Sequence, residues 1–151
     1  MNVATLLNKK GVKIVTIGPQ DTIRQALGRL AEHNIGALIV VDGQGAIAGI
    51  VSERDIVRAL VRSEAILAEP IATIMTRDVV KGTPQDDLVA VGNTMTEHRF
   101  RHLPIVEGSR LVGVISLGDV VKAQRDQYQG EVDTLQFQIL NEEDVRSPRA
   151  L

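Results

Sequence analysis

Two copies of one sequence pattern follow each other in the chain, and this repeat limits the possible folds more than any other feature. Residues 14–59 align with residues 79–123 at an offset of 65 positions, which falls to 64 after a one-residue deletion in a glycine turn. The tripeptide Pro-Gln-Asp occurs at Pro19–Asp21 and again at Pro84–Asp86. One copy is small for an independent core. The two copies should therefore pack against each other, related by an approximate two-fold axis.

Each copy predicts the element order β-α-β-β-α, which makes the fold class α/β, or α+β in some schemes. A short extended segment, Lys13–Ile17 or Val79–Lys81, leads into Pro-Gln-Asp, which is a turn and helix-start signal. Apolar residues at helical spacing follow. Two aliphatic segments joined by a glycine turn then predict a β-hairpin, and a second helix closes the copy. These strands are Ala37–Val41, Ile47–Val51, Leu103–Val106 and Leu111–Ile115.

The same pattern divides the chain into five segments. The first repeat with its lead-in is expected over residues 1–62 and the second over residues 71–124, with a linker at 63–70. A C-terminal helix is predicted over residues 125–140. The polar residues 141–151 are typical of a flexible tail.

The C-terminal helix carries an apolar stripe of the coiled-coil type. Its members recur at alternating spacings of four and three residues, with one polar member, and are Val121, Arg125, Tyr128, Val132, Leu135 and Ile139. Gly130 weakens the helix. Two interpretations remain open: the stripe packs on its own domain, or it packs on a partner subunit.

Composition excludes several classes of function. The chain has no cysteine, so disulfides, thiol nucleophiles and thiolate metal sites are absent. Aromatic residues make up 2% and the formal net charge is −2, which argues against a nucleic-acid partner. No apolar segment is long enough to span a membrane, and no signal peptide is evident. These features favour a cytoplasmic protein without nucleic-acid or membrane partners.

The best candidates for chemistry are two serine–aspartate pairs, Ser52 with Asp55 and Ser116 with Asp119, each at the start of a predicted helix. A helix N-terminus offers free backbone N–H groups to a phosphate. An aspartate in the first turn of the helix could accept hydrogen bonds from both hydroxyls of a ribose. The same spacing also fits a capping box, which only closes the helix. The residues alone leave both interpretations open. No arrangement of residues nominates a catalytic or metal site, so we predict that the chain is not an enzyme.

The complete order of motifs resembles a tandem pair of cystathionine-β-synthase (CBS) domains. The Gly-aliphatic-aliphatic-Ser-x-x-Asp segment after each hairpin carries this resemblance, as do Ile74–Val80 before Thr83–Pro84 and the strand Arg101–Val106. The resemblance covers roughly residues 3–123. It implies a module that binds AMP, ADP or ATP in clefts between the repeats, without a catalytic cofactor. NAD and S-adenosylmethionine also contain adenosine and remain candidate ligands.

The resemblance also implies which residues contact the nucleotide. Asp55 and Asp119 would bind the ribose, and Ser52 and Ser116 the phosphate. The remaining cleft residues would be Thr16, Lys81, Gly36, Ala37, Arg54, Arg101 and His102. In the second copy Gly118 replaces Arg54, so the two sites should differ in affinity, or only one should be occupied.

Three functions compete at this point. The first is a nucleotide sensor that acts as a homodimer and signals to a separate effector protein. The second is a structural dimerisation module whose serine–aspartate pairs are only helix caps. The third is a nucleic-acid binder, which the charge and the low aromatic content disfavour.

Overall fold

The computed structural model describes residues 1–146 and confirms the expected mixture of helices and strands. A segment outside the repeat, the helix α1, precedes the first copy. The elements in chain order are α1 Val3–Lys10, β1 Thr16–Ile17, α2 Ile23–His33, β2 Ala37–Val41, β3 Ile47–Ser52, α3 Glu53–Arg62, α4 Leu88–Glu97, β4 His102–Glu107, β5 Arg110–Ser116 and α5 Leu117–Arg146.

Each repeat builds one small sheet around its hairpin. In the first repeat β2 pairs antiparallel with β3 and parallel with β1. In the second repeat β4 pairs antiparallel with β5. The extended segment predicted at Val79–Lys81 is wrong as a strand, since one parallel bridge between Gly82 and Ile105 takes its place.

The residues after Gly82 explain why the ladder stops there. The Thr83 N–H donates to the Asp86 carboxylate at 2.8 Å, and Pro84 has no N–H to donate. In the first repeat the Gly18 N–H donates to Asp21 at the same distance, and β1 ends one residue earlier at Ile17. Of the predicted segment Lys13–Ile17, only the last two residues form the strand β1.

The segment that precedes each repeat packs on the other repeat. Val3, Leu6 and Leu7 of α1 lie in the core of the second repeat, together with buried residues of α4, β4 and β5. Ile71 and Met75, which precede the second copy of the aligned pattern (residues 79–123), lie in the core of the first. The predicted boundaries at residues 62 and 71 therefore divide the sequence but do not separate the two cores.

Backbone hydrogen bonds repeat this exchange with two-fold symmetry. The proline and the aspartate of each Pro-Gln-Asp tripeptide accept from the lead-in of the other repeat. The bonds are Ala4 N–H to Pro84 O (2.8 Å) and Val3 N–H to Asp86 O (3.0 Å), matched by Ala72 N–H to Pro19 O (3.0 Å) and Ile71 N–H to Asp21 O (2.9 Å). The repeated tripeptide thus fastens the two halves of the chain to each other.

The helix α5 is longer than predicted. It runs without a break from Leu117 to Arg146, so the helix expected over residues 125–140 is its middle, and residues 141–146 are helical rather than a tail. The first proline in this region is Pro148, which explains why the helix does not end at residue 140. Residues 147–151 of the predicted tail lie outside the described residues. None of the helices in residues 1–146 combines the length and the apolar content that a membrane crossing requires.

The glycines at equivalent positions of the two hairpins give a test of the exchanged packing. A methyl group on Gly49 would lie 2.7 Å from the backbone oxygen of Thr76, and one on Gly113 would lie 2.8 Å from a terminal methyl of Leu7. A leucine side chain can move, whereas the backbone at Thr76 is held by its own hydrogen bonds to Ile50 at 2.9 Å. Gly49→Ala should therefore destabilise by about 1–3 kcal/mol, and Gly113→Ala by less.

Urea denaturation of both variants measures this difference. Gly28→Ala is the control, because nothing lies within 4 Å of the position that its Cβ would occupy. Equal losses of unfolding free energy at Gly49 and Gly113, or a larger loss at Gly113, would contradict the packing described.

Candidate functional site

A cavity of about 580 Å³ lies between the two repeats. Its wall on one side is the junction of β3 with α3, from Ser52 to Asp55, and on the other side Thr76, the segment Asp78–Val80 and the segment Arg99–His102. Six of the predicted site residues line it: Gly36, Ser52, Arg54, Asp55, Arg101 and His102. Arg101 and His102 belong to the second repeat, and this cavity brings them to the helix start of the first.

Ser52 and Asp55 form a complete capping box at the start of α3. The Asp55 N–H donates to Ser52 Oγ at 3.2 Å, and the Ser52 N–H donates to Asp55 Oδ2 at 2.8 Å. The Ser52 hydroxyl also donates to Oδ2, at 3.0 Å. No residue that the structure describes donates to Asp55 Oδ1. One carboxylate oxygen therefore caps the helix while the other can accept from a ligand, so the two interpretations of this motif are compatible.

Four arginines surround the cavity: Arg54 and Arg58 from α3, and Arg99 and Arg101 from the segment before β4. None of them has a carboxylate within 4.0 Å among the described residues. Three carboxylates share the lining, on Glu53, Asp55 and Asp78. Exposed guanidinium groups that converge on one cavity without an acidic partner favour an anionic ligand, because they can bind oxygen anions in a bidentate manner.

Two of these arginines were missed by the sequence reasoning. Arg58 lies four residues after Arg54, so helical spacing alone places both on one face of α3 and could have identified it. Arg99 aligns with Asn34 of the first repeat, and both have a left-handed backbone, with φ of 57° and 49°. Asparagine tolerates this conformation better than arginine. Arg99 thus lies in a strained position beside the cavity.

Gly36 allows the two repeats to approach closely at the base of the cavity. A methyl group on Gly36 would lie 3.2 Å from Glu53 Oε1 and 3.2 Å from His102 Nε2. The Gly36 carbonyl accepts from the Glu53 N–H at 3.0 Å, which holds the start of α3 against the start of β2. A side chain at this position would displace Glu53 and His102 from the cavity wall.

At the equivalent helix start in the second repeat, the Lys10 ammonium contacts the aspartate. The Ser116 N–H donates to Asp119 Oδ2 at 2.8 Å, as in the first repeat. Lys10, at the end of α1, donates to the same oxygen at 2.7 Å and to the Val114 carbonyl at 3.0 Å. Burial raises the pKa of Asp119, but the hydrogen bonds from Lys10 and the Ser116 backbone outweigh it and hold the pKa below its usual value.

The remaining predicted residues lie away from the large cavity. Lys81 lines a smaller cavity of about 290 Å³. Ala37 is buried in β2 opposite Ser52. The Thr16 carbonyl accepts a hydrogen bond from the Arg29 guanidinium. The structure therefore gathers the first serine–aspartate pair with the arginines, and leaves Ser116 and Asp119 with Lys10.

The lowered pKa of His102 predicts that the stability depends on pH near neutrality. Burial lowers its pKa from the ordinary 6.5, and this outweighs the carboxylates of Asp119 and Glu53, which raise it; the cations of Arg101 and Lys10 lower it further. The unfolded chain therefore takes up this proton first as the pH falls below about 6.5. The free energy of unfolding should decrease as the pH falls from 7 to 5.

Urea denaturation at several pH values measures this dependence. His102→Gln should flatten the decrease, and His33→Gln, on α2, is the matched control. An unchanged slope in His102→Gln would show that His102 is not the group responsible. The contribution of Asp119 is separate, because its pKa is depressed and its stabilisation is lost only as the pH falls from the ordinary aspartate pKa down through the lowered one, below the range from 7 to 5.

Comparison with known proteins agrees with this architecture. The CBS domain family model matches residues 5–62 and 71–126. The CBS domain-containing protein YhcV of Bacillus subtilis is 33% identical over 112 residues, which cover 74% of this chain and 79% of that protein.

Solved structures agree as well. The CBS-domain containing protein ATU1752 from Agrobacterium tumefaciens superimposes with a TM-score of 0.79 at 42% identity, over 82% of this chain and 92% of that one. The CBS domain pair of protein MJ0100, in complex with 5-methylthioadenosine and S-adenosyl-L-methionine, has a TM-score of 0.72 at 25% identity, over 84% and 98%. With the family model matched twice and the fold shared over most of its length, this chain belongs to the CBS domain family, as a tandem pair.

Proposed function

We propose that this chain is a regulatory module that binds an adenosine-containing nucleotide in the cavity between its two repeats. The observation that carries the proposal is the convergence of four arginines without acidic partners on the Ser52–Asp55 helix start. The cavity, about 580 Å³, is of the size that small-molecule sites occupy in proteins. The complex of MJ0100 with two adenosine compounds supports the ligand class.

The lining suggests how such a ligand lies. Ile50, Val79 and Val80 offer an aliphatic surface for the adenine ring. The free Oδ1 of Asp55 would accept a hydrogen bond from a ribose hydroxyl, and the N-terminus of α3 would attract the phosphates. Arg54 and Arg101 would bind the outer phosphate oxygens. The excess of arginine favours AMP, ADP or ATP, and also NAD, over S-adenosylmethionine, whose sulfonium carries a positive charge.

A second site at Ser116 and Asp119 is proposed to be weaker. A ribose there must compete with the Lys10 ammonium for the Asp119 carboxylate, and Gly118 provides no side chain where the first repeat has Arg54. Thr16 and Lys81, which the resemblance assigns to the clefts, stay predicted contacts outside the large cavity. The difference between the two helix starts predicts that one site per chain dominates.

The regulatory output is proposed to pass through a homodimer to a separate effector protein, with no chemical step in the chain itself. Nucleotide binding would contact both walls of the cavity, which come from different repeats, and so shift their relative position. The free energy of such a shift cannot exceed the difference between the binding free energies of the nucleotide for the two arrangements of the repeats.

One observation favours a second candidate function, a structural dimerisation module. Both serine–aspartate pairs satisfy their helix ends without a ligand, with N–H to carboxylate distances of 2.8 Å at each. A helix cap stabilises the protein without any ligand, since its loss costs about 1 kcal/mol of stability.

Ligand-dependent melting of two matched variants distinguishes these functions. ATP at about 100 times its dissociation constant should stabilise the wild-type chain by roughly 2.7 kcal/mol, which raises the melting temperature by several degrees, at about 2–4 °C per kcal/mol. Asp55→Asn should abolish most of this shift, because it removes the free carboxylate oxygen but keeps an acceptor for the Ser52 N–H.

Asp119→Asn is the control, since it changes the equivalent residue of the other repeat and should retain most of the shift. AMP, ADP, NAD and S-adenosylmethionine are compared at the same concentration. If no adenosine compound stabilises the wild-type chain, the sensing function is wrong and the dimerisation module remains.

A further inference from the structure

The distal half of α5, residues 125–142, extends from the two repeats with every side chain exposed. This segment spans about 26 Å at 1.5 Å per residue. Its apolar side chains are far from buried: Tyr128 is 64% exposed, Leu135 58% and Ile139 56%. Packing on its own domain, one of the two interpretations of the stripe, does not occur along this segment. Since helices of this length depend on tertiary packing for most of their stability, the exposed stripe needs a partner.

Four of the exposed apolar residues of this segment form one face, whereas Phe137 and Leu140 lie off it. Tyr128, Val132, Leu135 and Ile139 follow the alternating spacing of three and four residues that keeps a seam toward one neighbour. Arg125 and Glu142 continue the same seam at its two ends. Gly130 and Phe137 fall on the opposite side of the helix, where a two-helix pair leaves them exposed.

We infer that the distal half of α5 pairs in an antiparallel orientation with the same segment of a second copy of this chain. The choice of partner rests on charge complementarity within the seam. In the antiparallel register Arg125 lies opposite Glu142 of the second copy. Tyr128 then lies opposite Ile139 of the second copy, and Val132 opposite its Leu135. Two-fold symmetry repeats each pair, so four apolar layers lie between two ion pairs.

Other arrangements of the same two helices place charges badly. A parallel pair sets Arg125 against Arg125 and Glu142 against Glu142, which is repulsive at both ends. An antiparallel pair shifted by one heptad sets Arg125 against Leu135 in one direction, and Glu142 against Val132 in the other. Both shifts remove a charge from water without a partner.

Arg125 is free to make the new pair. In the single chain its guanidinium approaches only the neighbouring Asp126 carboxylate, at 3.6 Å among the described residues, and both side chains are largely exposed. Such an exposed contact contributes little. The inference does not rest on nucleotide binding, since none of these residues lines the cavity.

Disulfide cross-linking tests the orientation and the register of the two helices. The chain has no cysteine of its own, so only the introduced cysteines can form a disulfide. Tyr128→Cys and Ile139→Cys are prepared with different tags, oxidised either alone or after mixing and subunit exchange. The antiparallel register predicts a disulfide between the two different variants in the mixture and little in either variant alone. A parallel pair would instead cross-link each variant with itself, which overturns the inference.

Gly130→Cys mixed with Phe137→Cys is the matched control. This pair lies at the same level along the two helices but on their outer faces, so it should not form the disulfide. Cross-linking of the control as efficiently as of the seam pair would mean random collision and would overturn the register. A chain that dimerises without any cross-link in α5, for example through the exposed Val57 and Val61 of α3, would overturn the inference as well.

Charge reversal gives a second test, measured as the dimer dissociation constant by sedimentation. Arg125→Glu should weaken the dimer about tenfold or more, because each chain end then sets two carboxylates against each other. Adding Glu142→Arg in the same chain should restore most of the affinity, and Phe137→Ala should not change it. A monomeric wild-type chain, or a failure of the double variant to recover, contradicts the pairing, and either result leaves the ligand melting shifts unaffected.

Discussion

The structure depends on the exchange of lead-in segments between two repeats that are each small for an independent core. α1 completes the core of the second repeat, and the segment from Ile71 to Met75 completes the core of the first. Equivalent backbone hydrogen bonds hold both lead-in segments in place, at the proline and the aspartate of each Pro-Gln-Asp tripeptide. Each hydrophobic core therefore contains residues from both halves of the chain, which holds the two repeats together. The cavity between the repeats is a consequence of that packing.

The exchange also makes the two helix starts unequal. Because α1 crosses to the second repeat, it carries Lys10 to Asp119, whereas the start of α3 keeps a free carboxylate oxygen on Asp55 and gains arginines from the other repeat. An approximate two-fold axis thus relates the backbones, while the side chains concentrate the unpaired positive charge at one site. This difference is what makes one dominant ligand site per chain the expectation.

The sequence predicts the features that repeat and misses those that arise between repeats. The hairpins, the helix starts at Ser52 and Ser116 and the stripe on α5 follow from periodicity and capping chemistry within a few residues. The role of α1 could not be predicted, because Val3, Leu6 and Leu7 have their partners more than 80 residues away. The contact of Lys10 with Asp119 depends on the same long-range packing. Arg99 could not be predicted as a site residue, because only the fold shows that this left-handed residue after α4 borders the cavity.

Calorimetric titration of ATP into the wild-type chain tests the central claim most directly, because it counts sites without assuming where they lie. We expect one dominant site per chain, whose affinity falls as salt is raised, because the arginines would bind the phosphates. Two equal sites per chain would show that Lys10 does not weaken the second helix start. The absence of binding heat over a range of temperatures, together with unchanged melting, would contradict the proposal that the cavity binds a nucleotide.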